Sequence, residues 1–213
     1  MNFDKNTMLL YSVTDRRWLS GRTLYEDVER ALSGGVTALQ LREKGLGFDD
    51  FLKEAREISA LCKRYGVPFI INDSVEVAKA VGADGIHVGQ SDMECQKVRK
   101  TLGEQVILGV SAQTREQAIA AVNAGADYLG VGAVFQTGTK NDADFVSFEA
   151  LKSITSAVNV PVCAIGGITA DNMVKLQDSG IDGVALVSAI FAADDITKAC
   201  KELLSASKQL FSK

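Results

Sequence analysis

The chain has 213 residues, a length that an α/β barrel commonly fills as one domain. Hydrophobic residues make up 46% of it, but no apolar run approaches the roughly eighteen residues of a membrane helix, and the first residues lack the features of a secretory signal. The formal net charge is −4 and the Lys and Arg residues are scattered, so we expect residues 1–213 to form one cytoplasmic domain that binds neither membranes nor nucleic acid.

A glycine, a small or apolar residue and an aspartate precede an apolar run three times, at residues 82–84, 125–127 and 180–182. A degenerate copy stands at residues 34–37. The glycine of each copy suits the left-handed turn that closes a helix, so each copy predicts a helix end followed by a strand. Further apolar runs lie between the copies, and together they predict eight strands at residues 9–13, 38–42, 69–72, 85–89, 106–110, 128–132, 162–165 and 183–187.

Segments with helical periodicity follow the strands, for example at residues 49–65, 114–124 and 148–157. Pro68 and Pro161 open strands three and seven, where a missing N–H group is tolerated. Strict alternation of strand and helix predicts parallel strands in a TIM (β/α)8 barrel. An open doubly wound sheet is the alternative, but no G-x-G-x-x-G motif follows the first strand.

The four cysteines are widely spaced and form no C-x-x-C pair. This spacing predicts reduced, mostly structural thiols. The one histidine, His87, lies on a different predicted strand from Cys163, so a catalytic cysteine would lack a nearby base. His87 shares a strand face with Gly85 and Gly89, which favours a supporting position inside the barrel over a catalytic one.

The carboxyl ends of the strands are where barrels of this kind place their chemistry. At the second strand, Gln40 and Arg42 share the face opposite Leu39 and Leu41, and we expect that face to look into the mouth of the barrel. A solvated charged loop is the alternative for the run of residues 42–44.

The third and fourth strands are followed by Asp73 and Asp92. Two carboxylates at neighbouring strand ends suit Mg²⁺ together with substrate phosphates. Capping boxes, Asp73 with Glu76 and Ser91 with Glu94, are the alternative interpretation.

The fifth strand ends at Ser111, and the sixth leads into a polar segment at residues 137–142. Its hydroxyls, glycine and lysine suit phosphate oxygens and a closing lid, although a plain solvent loop fits as well. Gly166 and Gly167 after strand seven, and Ser188 after strand eight, match the usual phosphate cradle of this fold. The mouth thus has two anion-binding sides, which predicts two phosphorylated small-molecule substrates.

With these motifs in order, the whole chain resembles the thiamine phosphate synthase family. The matching segments are QLREK at 40–44, IND at 71–73, HVGQSD at 87–92, GVSAQT at 109–114, TGTK at 137–140 and IGGI at 165–168. The resemblance implies a TIM-barrel transferase that condenses hydroxymethylpyrimidine diphosphate with hydroxyethylthiazole phosphate, or its carboxylated form, to give thiamine phosphate and diphosphate.

The resemblance also implies the roles of individual residues. The pyrimidine diphosphate would be bound by Gln40, Leu41, Arg42, Glu43, Lys44, Asn72, Ser111 and Lys140. Four of these would be catalytic: Arg42, Lys44, Ser111 and Lys140. The thiazole phosphate would be bound by Thr137, Gly138, Thr139, Gly167, Val187 and Ser188. One Mg²⁺ per subunit would be held by Asp73 and Asp92.

The implied mechanism is dissociative: diphosphate leaves first, and the aminopyrimidine carries the cation until the thiazole nitrogen attacks. Such a step needs charge neutralisation more than acid–base chemistry. The sequence departs from the family pattern at Ala133 and Gln136, where members often have proline, and this predicts a looser lid.

Three alternatives share the barrel. A thiazole tautomerase would lack the full diphosphate and metal set, which is present here. A Schiff-base aldolase would need a lysine inside a strand, and no predicted strand has one. A noncatalytic thiamine-precursor-binding barrel would be expected to carry an effector domain or a broken diphosphate site. The sequence leaves the oligomeric state open, with a homo-oligomer among the options.

Overall fold

The computed structural model of the chain describes residues 4–89, 95–136 and 145–212. Within these residues eight parallel strands form a closed barrel in which each strand pairs with its neighbours in sequence and β8 pairs with β1. This confirms the predicted TIM barrel. The strands are β1 (Leu10–Val13), β2 (Ala38–Leu41), β3 (Phe69–Asn72), β4 (Gly85–Val88), β5 (Ile107–Ala112), β6 (Tyr128–Val131), β7 (Val162–Ile165) and β8 (Gly183–Leu186).

The helices lie outside the sheet and alternate with the strands. They are α1 (Leu24–Ser33), α2 (Phe48–Tyr65), α3 (Val75–Val81), α4 (Cys95–Leu102), α5 (Arg115–Asn123), α6 (Phe148–Thr155), α7 (Ser188–Phe191) and α8 (Ile196–Phe211). Short 3₁₀ helices occupy Lys5–Met8, Arg16–Trp18 and Met173–Leu176. Among the described residues, no helix has the length and apolar character needed to cross a membrane.

The connection from β7 to β8 differs from the predicted strict alternation, because it contains the 3₁₀ helix Met173–Leu176 in place of an α-helix. Met173 and Leu176 are buried and stand three residues apart, the spacing at which side chains line up on a 3₁₀ helix. Gln177 has a ψ angle of 143° and ends the helix after one turn, and Asp178 and Gly180 take positive φ angles beyond it.

The recurring glycine and aspartate motif forms hydrogen bonds between strands at the end of the barrel where the strands begin. Gly82, Gly125 and Gly180 have φ angles of 66°, 96° and 86°, as expected for glycines that reverse the chain. The residue two positions after the glycine uses its side chain to accept a hydrogen bond from the first or second backbone amide of the preceding odd-numbered strand. We call these four acceptors the strand-start clamps; they are Thr37 to Leu10 (2.8 Å), Asp84 to Phe69 (2.9 Å), Asp127 to Leu108 (2.7 Å) and Asp182 to Val162 (3.0 Å).

The hydrophobic core has two layers, one between sheet and helices and one inside the barrel. Leu39 and Leu41 belong to the outer layer, whereas Gln40 is buried with its side chain amide bonded to Tyr11 of the inner layer. This confirms the predicted alternation along β2. The inner layer contains Met8, Tyr11, Val13, Ala38, Ile70, Ile107, Tyr128, Cys163 and Ala185.

Candidate active site

The predicted site residues that the structure describes lie at the carboxyl ends of the strands, on one face of the barrel. Gln40 is within β2, Asn72 ends β3 and Ser111 is within β5. Arg42, Glu43 and Lys44 follow β2, Asp73 follows β3, Gly167 follows β7, and Val187 and Ser188 follow β8. Five further predicted residues lie outside the described part of the chain: Asp92, Thr137, Gly138, Thr139 and Lys140.

The residues after β1 hold Arg42 in place. The buried hydroxyl of Thr14 accepts a hydrogen bond from the backbone amide of Arg42 at 2.9 Å. A carboxylate oxygen of Asp15 lies 3.7 Å from the Arg42 guanidinium. Burial raises the pKa of Asp15, but hydrogen bonds from Arg17 and the charges of Arg17 and Arg42 outweigh it and lower that pKa overall. Asp15 is therefore an anion that orients a cation at the mouth.

Leu41 and Glu43 point away from the mouth. Leu41 is fully buried in the outer layer, so only its backbone remains for a ligand. One carboxylate oxygen of Glu43 accepts a hydrogen bond from Arg16 at 2.7 Å, and Arg16 also bonds Glu54 on α2. Burial raises the pKa of Glu43 to about 7; Arg16 opposes this and the neighbouring Glu54 adds to it. The alternation that aims Gln40 and Arg42 into the mouth thus takes Glu43 out of it, while Lys44 is exposed.

Asn72 and Asp73 form a rigid pair at the end of β3. The Asn72 side chain donates to the Asp73 carboxylate at 2.5 Å, and the Asp73 amide donates to the His87 carbonyl at 2.9 Å. Asp73 has a φ angle of 63°, which is uncommon outside glycine and often marks a functional position. The N-cap of α3 is Ser74, which accepts from Val77, so the Asp73 capping box expected as the alternative does not form.

Ser111 is connected to Gln40 by a chain of buried side chains. Gln40 donates to the Tyr11 hydroxyl at 2.8 Å, and the Tyr11 and Tyr128 hydroxyls are 2.7 Å apart. The Tyr128 hydroxyl lies 2.9 Å from Nδ1 of His87, and Nε2 of His87 lies 3.0 Å from the Ser111 hydroxyl. We call these five residues the interior chain. It gives His87 the supporting position that its strand face predicts.

The opposite side of the mouth is built from glycine backbone. Gly166 and Gly167 have φ angles of 101° and 66°. A Cβ atom on Gly167 would stand 2.3 Å from the Gln136 carbonyl oxygen, so the loops after β6 and β7 touch there. The Asn172 side chain donates to the Gly167 carbonyl at 2.8 Å and fixes the peptide. Such a turn leaves backbone N–H groups for an anion.

The loop after β8 completes this side. Helix α7 begins at Ser188, and Val187 is its N-cap residue. The first N–H groups of a helix have no acceptor within it. With the Ser188 hydroxyl they offer donors beside the Gly167 turn.

Several residues that shape the site escape prediction from sequence patterns. In the sequence, Tyr11 and Tyr128 resemble ordinary apolar strand residues. In the structure their hydroxyls form the central hydrogen bond of the interior chain. Thr14 and Asp15 follow β1 without a distinctive motif. One sequence feature could have revealed the two tyrosines. A tyrosine on the inward face of a strand needs a hydrogen-bond partner for its hydroxyl, and this predicts a buried polar network.

The described residues contain no group of three or more His, Cys, Asp or Glu side chains placed to hold a metal. All four cysteines are free thiols, as predicted. Burial raises the pKa of the Cys163 thiol to about 12, so it remains protonated and unreactive inside the barrel.

Comparison with known proteins gives consistent matches. The sequence profile of a family described as thiamine monophosphate synthase matches residues 10–190. The thiamine-phosphate synthase of Clostridium tetani is 50% identical over 194 residues, which cover 91% of this chain and 93% of that protein. The thiamine-phosphate synthase of Ruminiclostridium cellulolyticum is 51% identical over 195 residues, covering 92% and 93%. The solved structure of thiamine phosphate pyrophosphorylase from Pyrococcus furiosus superposes with a TM-score of 0.90 and 36% identity, covering 98% of this chain and 99% of that one.

Proposed function

We infer the reaction from the premise that the chain belongs to the thiamine monophosphate synthase family and is a transferase. We propose that it condenses 4-amino-2-methyl-5-(diphosphooxymethyl)pyrimidine with 4-methyl-5-(2-phosphooxyethyl)thiazole, or its carboxylated form. The products are thiamine phosphate and diphosphate. The observation that carries this proposal is a mouth with two separate sets of groups suited to anions: cationic side chains beside β2, and glycine backbone beside β7 and β8.

The pyrimidine diphosphate belongs on the cationic side. Arg42 is held there by Thr14 and Asp15, and the exposed Lys44 follows two residues later. Gln40 and Asn72 line the same side, Ser111 lies across the barrel interior on β5, and the family resemblance adds Lys140. Fixed cations of this kind stabilise the negative charge that grows on a departing diphosphate. The resulting pyrimidine cation is stabilised by its own amino group, so the step needs no general base.

The thiazole phosphate belongs on the glycine side. The Gly167 turn and the start of α7 at Ser188 present backbone donors, and the resemblance adds Thr137, Gly138 and Thr139. With its phosphate held there, the thiazole nitrogen faces the pyrimidine carbon across the mouth. Binding both reactants in one orientation makes capture of the cation faster than its reaction with water.

The residues at the end of β3 fit a magnesium ion. Asp73 does not cap α3, and its carboxylate is oriented by Asn72. Mg²⁺ prefers one or two carboxylates together with substrate phosphate oxygens, so Asp73, with Asp92, would hold one ion per subunit. When bound, the ion would neutralise charge on the leaving diphosphate.

We also propose that residues 1–213 act as one catalytic domain in the cytoplasm. The four free thiols fit a reducing compartment, and the closed barrel uses strands from the whole chain.

The activity is tested by mixing the protein with both substrates, with and without Mg²⁺, and measuring thiamine phosphate and diphosphate. We expect equal amounts of the two products only when metal is present. Failure to form metal-dependent product would overturn the proposal. Binding of the thiazole phosphate alone would then point to a tautomerase-like protein, and binding of both substrates without turnover to a noncatalytic one.

Variants separate the two sides of the mouth. We expect Arg42→Gln, Lys140→Ala and Asp92→Asn each to lower kcat by about a hundredfold or more. The first two remove positive charge that stabilises the departing diphosphate, and the third removes a carboxylate that would hold the Mg²⁺. Arg64→Gln is the matched control, since Arg64 forms an exposed ion pair with Glu29 away from the mouth. Near wild-type turnover in any of the three variants would remove that residue from the mechanism.

Ser188→Ala is expected mainly to raise the KM for the thiazole phosphate, by about tenfold, with little change in the KM for the pyrimidine diphosphate. An unchanged thiazole KM would place the phosphate elsewhere.

A further inference from the structure

The interior chain has a defined direction of hydrogen donation. The Gln40 amide nitrogen donates to the Tyr11 hydroxyl and cannot accept in return. Tyr11 is fully buried, so its own hydrogen needs an acceptor, and the remaining partner of its hydroxyl is Tyr128 at 2.7 Å. Donation therefore runs from Gln40 through Tyr11 to Tyr128.

The same direction of donation assigns a tautomer to His87. We assign the next donation to the Tyr128 hydroxyl, whose oxygen lies 2.9 Å from Nδ1 of His87, and this leaves Nδ1 without a hydrogen. A neutral imidazole then carries its hydrogen on Nε2, which is 3.0 Å from the Ser111 hydroxyl oxygen. Ser111 accepts this hydrogen and directs its own hydroxyl hydrogen elsewhere. The direction set at Gln40 is thereby transmitted to the far side of the barrel.

Both tyrosines keep their hydrogens under ordinary conditions. Burial is the main cause that raises the pKa of Tyr11 and of Tyr128, and their mutual interaction raises that of Tyr128 further. Neither hydroxyl becomes an anion that would reverse the direction of donation.

Glycines on the neighbouring strands fix the rings of the chain in position. A Cβ atom on Gly109 would stand 2.0 Å from Cζ of Tyr128, and one on Gly130 would stand 3.0 Å from Cε1 of His87. The first contact leaves no room for a methyl group, and the second would force the His87 ring to shift by a few tenths of an ångström, so these glycines on β5 and β6 shape the space for the two rings. The hydrogen-bond geometry is therefore set by packing as well as by polarity.

We propose that Tyr11, Tyr128 and His87 are positioning residues that make the site read the amino group of the pyrimidine. They hold Gln40 with its amide nitrogen turned to Tyr11, which leaves its carbonyl oxygen to accept a hydrogen from the ligand. They hold Ser111 as a hydrogen donor. An aminopyrimidine offers both matching groups, a donating amino group and accepting ring nitrogens. This inference rests on the proposed function, since that places the pyrimidine between Gln40 and Ser111.

A 4-oxo analogue of the pyrimidine diphosphate presents an acceptor where the natural ring has a donor. Facing the fixed carbonyl of Gln40, it would bring two acceptors together with no hydrogen between them. Sites built around fixed hydrogen-bond partners reject such mismatches strongly. In Tyr11→Phe, the Gln40 amide loses its partner and is free to turn over.

The tautomer is measured directly by ¹⁵N NMR of the full-length protein labelled at histidine. The chain has one histidine, so the spectrum contains ring signals from His87 alone. At mildly alkaline pH we expect Nδ1 to be unprotonated and Nε2 to be protonated. A ring protonated at Nδ1 in the wild-type protein would overturn the proposal, with no variant required.

Tyr11→Phe tests whether the direction is transmitted. This variant leaves the hydroxyl next to His87 in place but removes the donor behind it, so Tyr128 becomes able to accept from Nδ1. We expect the two His87 signals to move towards values typical of a mixture of tautomers. Unchanged signals would mean that Tyr11 only packs, and would overturn the proposal. Tyr128→Phe, which breaks the bond to His87 itself, is the second variant and should give a larger change.

Kinetics supply the functional half of the test. We expect Tyr11→Phe and Tyr128→Phe to lower kcat/KM for the aminopyrimidine substrate by about tenfold or more while the KM for the thiazole phosphate stays within about twofold. The ratio of kcat/KM for the amino substrate to kcat/KM for the 4-oxo analogue should also fall in both variants. Ser207→Ala is the matched control, because it removes a buried hydroxyl that bonds the Leu9 carbonyl beneath α8. An amino preference that both tyrosine variants retain in full would overturn the proposal.

If the proposed function is wrong, the experiments give a different set of results from those expected if only the positioning roles are wrong. If no thiamine phosphate forms with the wild-type protein, the assignment of the pyrimidine as ligand falls together with the role in reading its amino group. The NMR arm would still decide separately whether donation runs from Gln40 to Ser111.

Discussion

At the scale of single residues, Asp15 contributes to the site without facing a substrate in the proposed function. Its carboxylate is bonded by Arg17 at 2.8 Å and lies 3.7 Å from Arg42. Because Asp15 is buried, these interactions are screened less than an exposed pair would be. The position of Arg42 is thus set by an anion on the preceding strand end rather than by the loop that carries Arg42.

Glu43, the residue after Arg42, shows the opposite effect: its pKa is raised, whereas that of Asp15 is lowered. Glu43 is buried beside Arg16 and Glu54, and one of its carboxylate oxygens has no hydrogen-bond partner among the residues that the structure describes. The folded state binds a proton on Glu43 more tightly than the unfolded chain does, because its pKa rises from 4.5 to about 7 on burial. The ionised form is therefore disfavoured by folding.

This gives a pH-dependent prediction. A group whose pKa is higher in the folded than in the unfolded chain contributes to the free energy of unfolding at low pH. That contribution falls as the pH rises from the pKa in the unfolded chain to the pKa in the folded protein. The contribution of Glu43 should thus decline between about pH 4.5 and about pH 7. We expect the Tm of Glu43→Gln relative to wild type to be higher at pH 8 than at pH 5, as measured by thermal unfolding.

Glu29→Gln provides the control for this experiment, since Glu29 pairs with Arg64 on the surface. Its Tm difference from wild type should change little over the same range. If Glu43→Gln showed the same small change, Glu43 would be ionised at no cost in the folded protein.

At the scale of elements, the loop after β7 depends on glycine for two separate reasons. Gly167 needs a left-handed backbone angle, and it also touches the Gln136 carbonyl. The loops after β6 and β7 are further joined by a hydrogen bond of 3.0 Å from the Phe135 amide to the Gly166 carbonyl. The predicted phosphate cradle is therefore a joint structure of two loops.

Gly167→Ala should damage both the loop and its proposed ligand site. We expect a loss of about 1–3 kcal/mol in the free energy of unfolding, from the left-handed angle and the collision, and a raised KM for the thiazole phosphate. Urea unfolding and steady-state kinetics measure the two effects.

The matched control is Gly103→Ala. Gly103 has a φ angle of 87°, and no atom of the described residues lies within 4 Å of a Cβ atom added there, so this substitution isolates the cost of the backbone angle. Equal effects of the two substitutions on the thiazole KM would show that the contact between loops has no part in binding.

The positions of the strands could be predicted because two independent signals coincide there. Apolar runs mark the strands, and the glycines and prolines mark where they begin, so predicted and observed bounds differ by at most two residues. The 3₁₀ helix before β8 could not be predicted in the same way. Met173 and Leu176 have the i, i+3 spacing that an α-helix also uses, and the choice depends on how closely the turn packs on the sheet.

The candidate site was predictable where side-chain direction follows from strand alternation, as for Gln40 and Arg42. It was not predictable where direction depends on a distant partner. Asp73 and Ser74 are both good N-caps by type, and the bond from the Asp73 amide to the His87 carbonyl decides that Ser74 caps α3. The interior chain likewise joins residues up to 117 positions apart in sequence.

At the scale of the whole molecule, stability and chemistry are assigned to opposite ends of the barrel. The strand-start clamps close one end, whereas the candidate active site occupies the other. Asp182 illustrates the first role: it is buried, accepts from the Val162 amide and pairs with Lys5 at 2.9 Å.

Asp182→Ala should therefore affect stability without affecting turnover. It leaves a buried amide without its partner, a change that costs about 1–3 kcal/mol in the free energy of unfolding. We expect urea unfolding to show this loss while kcat and both KM values stay close to wild type. Asp194→Ala, at an exposed position before α8, is the control for stability. A large fall in kcat for a folded Asp182→Ala protein would show that the two ends are coupled.

The strand-start clamps also bear on the order in which the chain folds. Their partners are 27, 15, 19 and 20 residues apart, so each clamp closes a short loop within one pair of consecutive strands. Short loops close fast and at low entropic cost, whereas the pairing of β1 with β8, such as Leu10 with Val184, joins the two ends of the chain. We therefore expect the four local strand pairs to form before β1 pairs with β8, and the closing of the ring to limit the folding rate.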